Sequence, residues 1–406
     1  MLHIKQAALL CGGQGVRLRP LTDTVPKPMV RLNGIPFLQY LILQLKDNGI
    51  SEIVLMTGYL GEQIRDYFGD GRKLGVKIKY SHGPAEWETG RRLFEAKDLL
   101  LDHFLLLYSD NFLTFNLKKS MTFYDQHKKL LSFIVTPKEK GNIRLGEDST
   151  VEVYDSSRQG KGLHLVELGY MVASRKIFEY YTCSNVSFSD IIKSLVSAEE
   201  VAGMLFLEPY YSISDMERLR LTEKYLQPKK ILLIDRDGVI NKKAPRGEYV
   251  SSWSAFSFIR ENIEGMKSLS SAGYSFIVIS NQAGIARGMV SAQAVDDIHE
   301  RMIQVLQEQG IHIIDIFVCP HHWDEKCFCR KPQPGLFIQA SRKWLFRLDK
   351  TFFIGDDYRD CQAAYQAGCG CVYTGAAGEL GKLQPDEYPR YVVKNLTEAV
   401  EDLVSA

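Results

Sequence analysis

The 406-residue chain lacks any imbalance of charge: 50 Lys and Arg face 49 Asp and Glu, a formal net of +1. A balance that close to zero offers no long-range pull toward nucleic acid or an anionic membrane, so neither is expected as a partner. Long apolar runs are also absent. No stretch approaches the roughly 18 apolar residues that span a bilayer. The N-terminal patch QAALLC runs into glycines rather than a signal-peptide cleavage pattern. The cytoplasm is therefore the expected location. Cysteine is scarce, and eight in this length are too few for a disulfide scaffold. Three of them, Cys319, Cys327 and Cys329, still fall within eleven residues, a density that suggests metal binding over bridging. Low-complexity tracts and short-period repeats are missing too. What remains is an ordinary globular composition, 45% apolar and 24% charged, long enough for two or three domains at about 150 residues each.

Apolar runs alternate with amphipathic stretches in both halves. QAALLC, EIVLMTG and HFLLLYSD in the first half read as buried parallel strands, as do KILLIDRDG, SFIVISNQ, IDIFVCP and TFFIGDD in the second. Most of these runs end in polar or charged residues, and in open α/β sheets that carboxyl edge is where ligands bind. A charged helical stretch, SDMERLRLTEKYL, is stopped by Pro228. The seam is therefore expected near Gln227, giving domains 1–227 and 228–406. The expected class is α/β: two three-layer, Rossmann-like domains in series.

The second domain carries the stronger signal. Asp235 and Asp237 stand two residues apart just beyond a continuous apolar strand, so both emerge at the sheet edge, close enough to share a divalent cation. Ser280 and Asn281 follow SFIVI, Lys331 stands in CRKP, and Asp356 and Asp357 follow TFFIG. Four strand-end segments thus supply carboxylates, a hydroxyl and an ammonium, the inventory for phosphoryl transfer. Over residues 229–376 the motifs resemble the haloacid dehalogenase superfamily of phosphatases. DRDGVIN, SNQAGIARG, CPHH…CFCRKPQPG and GDDYRD resemble in particular the heptose 1,7-bisphosphate phosphatases; histidinol-phosphate phosphatases share the zinc loop. The resemblance implies Asp235 as nucleophile and Asp237 as the acid that protonates the leaving oxygen and then activates water. It implies Ser280 and Lys331 as holders of the transferred phosphoryl group, and Arg287 and Arg330, beside Asn281, as contacts to the rest of a phosphorylated heptose. Mg2+ is implied on Asp235, Asp356 and the backbone carbonyl of Asp237. Only 42 residues separate Asp237 from Ser280, so an uncapped site is expected. Asp357 departs from the family, which often has Lys there.

Cys319, His321, Cys327 and Cys329 form C-x-H-x5-C-x-C, four ligands suited to a closed, structural tetrahedral zinc site; His322 is the alternative nitrogen ligand. Cys369 and Cys371 are expected in the core.

In the first domain Gly12, Gly13 and Gly15, followed by Arg17 and by Lys27 in PKPM, form a turn in which glycines let the backbone wrap a triphosphate and the cations face pyrophosphate. Residues 4–225 resemble the sugar-1-phosphate nucleotidyltransferases, including mannose- and heptose-1-phosphate guanylyltransferases. The resemblance implies Asp110 as an Mg2+ ligand, Thr89 and Gly90 in the nucleotide- and sugar-contacting segment, and GTP as the expected nucleotide. The chain departs from that family at Val16, at Ser212 where a second metal-binding Asp stands, and at Glu167-Leu-Gly169. Only Lys161 is offered for its lysine motif. A hydroxyl is a poorer Mg2+ ligand than a carboxylate. Two readings stay open: a bifunctional enzyme running consecutive steps, or a heptose-bisphosphate or histidinol-phosphate phosphatase with a nucleotide-binding or oligomerising first domain. A homo-oligomer is compatible with either.

Overall fold

The apolar runs become the central strands of two separate sheets. A computed structural model describes residues 3–245 and 247–405, which divide into compact units of residues 1–224 and 225–406, with the helix Met216–Leu226 crossing the division.

In the first unit the strand Gln6–Cys11 is buried along its length and lies between Glu52–Thr57 and His103–Tyr108, parallel to both. Lys77–His82 extends the parallel side. The far side is antiparallel: Leu165–Ser174 runs against His103–Tyr108 and pairs with Leu131–Pro137, giving a mixed sheet of nine strands. That antiparallel extension is absent from the sequence expectation. The carboxyl ends of the three central parallel strands open onto one edge, where the glycine-rich segment begins.

In the second unit six strands are all parallel, in the order Ile313–Cys319, Ser275–Asn281, Ile231–Ile234, Phe352–Gly355, Gly370–Tyr373, Tyr391–Val392. Chain order reverses on either side of Ile231–Ile234, so Asp235 leaves the sheet at a topological switch point. Alternate residues feed opposite cores. Ile231, Leu233, Ile277 and Ile279 pack on one face, and Leu232, Ile234, Phe276 and Val278 on the other. Burial on both faces explains why these strands read as unbroken apolar runs. Between Asp237 and Ser280 lie a loop, one short turn of helix at Trp253–Ala255 and the helix Arg260–Ser271. Cys369 and Cys371 are buried in the core, as expected.

Candidate functional site

At the carboxyl edge of the second sheet, Asp235 follows the strand Ile231–Ile234 and its backbone N–H donates to Ile354 O at 2.9 Å. Lys331 is 3% exposed and its Nζ lies 2.8 Å from Asp235 Oδ2, 2.9 Å from Asp360 Oδ1 and 3.0 Å from Ile279 O. Asn281 anchors that lysine reciprocally, accepting from Lys331 N–H and donating to Lys331 O, both at 3.1 Å. Burial pushes the Asp235 carboxyl up to about 7, with Lys331 opposing and the like charges of Asp360 and Asp356 reinforcing. Burial opposes the Lys331 charge, but Asp235 and Asp360 hold it protonated above its ordinary range.

Asp237 turns elsewhere. Its carboxylate accepts from Arg236 Nη2 at 3.0 and 2.9 Å, from Asn241 Nδ2 at 2.9 Å and from Gln282 Nε2 at 2.8 Å. Burial works against its charge, yet Arg236 and the two amides hold the carboxyl below its ordinary value. Arg236, fully buried, also bonds His299 Nε2 at 3.0 Å.

Oxygens of Asp235, Asp356 and Asp360 lie within 4.8 Å of one another. Asp360 is committed locally: Oδ2 caps the backbone N–H groups of Asp356 and Asp357, and Oδ1 holds Lys331. Asp356 Oδ1, by contrast, is buried with no hydrogen-bond partner, and burial pushes its carboxyl up to about 6 against the opposing charge of Lys243. Asp235 and Asp356 therefore fit a hard divalent cation, whose charge would relieve the crowding. The carboxylate of Asp237 does not join that group. Asp360 and Arg236 were missed in the sequence reading, although GDDYRD holds the first and DRDG the second.

A cleft of about 140 Å³ is lined by Asp235, Asp237, Asn281, Arg330 and Lys331. It adjoins a cavity of about 750 Å³, with Lys243, Asp357 and Arg359 lining both. Ser280 is fully buried and accepts from Gln282 Nε2 at 2.8 Å, so its hydroxyl stands behind the cleft wall. Arg287 lines neither space; it bonds Tyr249 at 3.2 Å and lies over the Trp323 ring. Asp357 is neutralised by Arg359, whose Nε and Nη2 donate at 2.8 and 2.7 Å.

Beyond the strand Ile313–Cys319, Cys319 Sγ, His321 Nδ1, Cys327 Sγ and Cys329 Sγ converge, with neighbouring ligand atoms 3.1–3.6 Å apart. Zn–S bonds of about 2.3 Å place tetrahedral ligands roughly 3.7 Å apart, so the set fits zinc. His322 instead caps the turn Trp323–Glu325. The loop leads into Arg330, which donates to His321 O at 3.5 Å.

In the first unit Gly12, Gly13, Gly15, Arg17, Lys27, Thr89 and Asp110 line one cavity of about 530 Å³. Gly15 has φ +65°, and a Cβ there would fall 2.8 Å from Lys27 Cβ, so glycine is required on both counts. Lys27 Nζ lies 2.7 Å from Asp110 Oδ2. Thr89 Oγ1 accepts from Phe188 N–H at 2.8 Å. Gly90 does not line the cavity; it packs against Ile191 and Val186 O. Ser212 pairs with Asn111 across two short strands, beside Asp110, and its hydroxyl meets Ser214. Burial pushes the Glu167 carboxyl up to about 7, with Asp110 adding like charge. No group of three or more potential metal ligands lies in this unit among the described residues. Lys27 thus engages Asp110, the one carboxylate expected to hold Mg2+ in this unit.

Comparison with known proteins agrees with both halves. Residues 6–152 match the nucleotidyl transferase family and residues 230–366 the polynucleotide kinase 3 phosphatase family. The chain therefore joins a nucleotidyltransferase domain to a phosphatase domain of the haloacid dehalogenase type. A D-glycero-alpha-D-manno-heptose-1,7-bisphosphate 7-phosphatase of Photorhabdus laumondii is 37% identical over 156 residues, 36% of this chain and 84% of the relative. A beta-anomer 7-phosphatase of Pseudomonas aeruginosa is 35% identical, over 39% of this chain and 89% of the relative. The chain belongs to the D-glycero-D-manno-heptose-1,7-bisphosphate 7-phosphatase family. A solved candidate glucose-1-phosphate thymidylyltransferase of Bacillus anthracis shares a fold at 16% identity, covering 54% of this chain and 94% of that one, with a TM-score of 0.50.

Proposed function

We propose that the second unit removes the 7-phosphate of a D-glycero-D-manno-heptose 1,7-bisphosphate and that the first joins the resulting heptose 1-phosphate to a nucleotide, with GTP the expected donor. The observation that carries the first step is the convergence of Asp235, Asp237 and Lys331 on one sheet edge in a chain whose 7-phosphatase relatives it covers by 84 and 89%. An Asp235 oxygen attacks phosphorus, the P–O bond to C7 breaks, and the leaving oxygen takes a proton from Asp237. Water then attacks the aspartyl-phosphate, losing its proton to Asp237 and freeing Asp235 and phosphate. Asp237 is held ionised in the free site, the state needed for the second step; the negative charge of an incoming phosphate monoester favours the proton needed for the first. Lys331 and Asn281 hold the phosphoryl oxygens, and Arg330 reaches the sugar side. Bound at Asp235 and Asp356, Mg2+ would neutralise charge on the transferred group. Zinc on Cys319, His321, Cys327 and Cys329 would fix the loop that carries Arg330 and Lys331.

In the first unit Arg17 and Lys27 face the triphosphate and Gly12, Gly13 and Gly15 let it approach. The sugar 1-phosphate oxygen attacks the α-phosphorus and pyrophosphate leaves. The product of one domain is then the substrate class of the other. Ser212 and the Lys27–Asp110 pair favour a second reading, in which this domain binds nucleotide without turnover. The test is pyrophosphate release from GTP, ATP, CTP or UTP with heptose 1-phosphate; no release with any donor, alongside phosphatase turnover, selects the second reading. Hydrolysis of histidinol phosphate in preference to the heptose bisphosphate would overturn the substrate assignment.

A further inference from the structure

The cavity of the first unit is backed by a buried cation outside the expected site residues. Arg92, on the helix Thr89–Glu95, is 4% exposed. Its Nη1 donates to Thr57 O at 2.9 Å and Gly83 O at 3.4 Å. Its Nη2 donates to Gly12 O at 3.3 Å, Pro84 O at 2.5 Å and Ala85 O at 3.2 Å. All five acceptors are backbone carbonyls. Glu86 and Glu88 line the same cavity and act on Arg92 through space, but neither forms a direct ion pair with it among the described residues. The fit is close: a Cβ at Gly12 would fall 2.3 Å from Arg92 Cζ, and one at Gly58 2.5 Å from Nη1. A side chain at Gly12 or Gly58 would displace the guanidinium from this position.

A guanidinium stays protonated in proteins. Carbonyl dipoles offset part of its desolvation, but they leave a whole positive charge in the cavity wall. The fork also joins the glycine-rich turn to the Gly83–Ala85 segment, whose Ala85 lines the same cavity. We propose that Arg92 is a positioning residue of the nucleotide site, which ties these two segments together and presents a charge, only partly offset by Glu86 and Glu88, that the polyphosphate of a nucleoside triphosphate balances. This rests on the nucleotidyltransferase reading of the first unit.

The test compares the full chain with Arg92→Met and Arg92→Lys. Binding of GTP, ATP, CTP, UTP and pyrophosphate is measured, with pyrophosphate-releasing turnover, thermal unfolding and phosphatase turnover on the same preparations. Arg92→Met should weaken triphosphate and pyrophosphate binding at least about tenfold, equivalent to ~1.4 kcal/mol, with phosphatase turnover unchanged. Arg92→Lys keeps the charge but not the five-carbonyl fork. It should recover pyrophosphate affinity while kcat for pyrophosphate release stays low. Wild-type affinity in a folded Arg92→Met chain overturns the proposal. If the Met variant does not fold, wild-type kcat and KM in Arg92→Lys overturn it. A wild-type chain that binds none of these ligands overturns the nucleotidyltransferase reading itself, and the proposal with it.

Discussion

Asp360 holds the phosphatase site together from the wall of the cleft, which it helps to line. One oxygen grips Lys331 and the other caps two backbone N–H groups at the start of the helix Tyr358–Ala367. Asp360→Asn should leave zinc content unchanged and lower kcat/KM for phosphate release about 10- to 100-fold, because Lys331 loses one of its two charged anchors. A wild-type steady-state profile would contradict that role. Gly238 is a sharper case. Its φ is +97°, and a Cβ there would fall 2.0 Å from Asp356 Oδ2. Gly238→Ala should therefore abolish Mg2+-dependent turnover and cost about 1–3 kcal/mol in stability; denaturant unfolding and phosphate release check both. Asp235, Ser280 and Asp356 were legible because each stands at or just past the end of an apolar run. Arg92 was not, because two of its carbonyl partners, at Gly12 and Thr57, lie 80 and 35 residues away. Only folding brings them to the helix Thr89–Glu95.

At the scale of elements, the loop that carries the Cys/His cluster links a strand end to the residues that face the cleft. Cys319 closes the strand Ile313–Cys319, and Cys329 directly precedes Arg330 and Lys331. Cys327→Ser should reduce zinc below one ion per chain and lower the unfolding midpoint by about 4 °C or more, since ~1 kcal/mol moves a domain of this size about 2–4 °C. Metal analysis and calorimetry check it; unchanged zinc stoichiometry would refute the ligand assignment. The four-ligand spacing was readable because its members are close in sequence. Likewise the parallel strands were readable because burial on both faces leaves no polar interruptions. The antiparallel strands of the first sheet were not. Ile143–Leu145 and Val151–Tyr154 are short; they pair with each other, and Leu165–Ser174 joins only the first of them to the sheet.

For the whole molecule, near-zero net charge acquires a specific meaning. Each cavity is lined by individual placed cations, Lys331 and Arg330 in one and Arg17, Lys27 and Arg92 in the other. Neither cavity depends on long-range attraction, so moderate added salt should change substrate KM in either reaction by less than about threefold. The central claim is the first chemical step, and 31P NMR of D-glycero-D-manno-heptose 1,7-bisphosphate with Mg2+ tests it most directly, using the full chain and its Asp235→Asn variant. The 7-phosphate resonance should convert to inorganic phosphate while the 1-phosphate persists, with the variant at least about 10³-fold slower. Loss of the 1-phosphate first, or equal turnover by Asp235→Asn, would contradict the account.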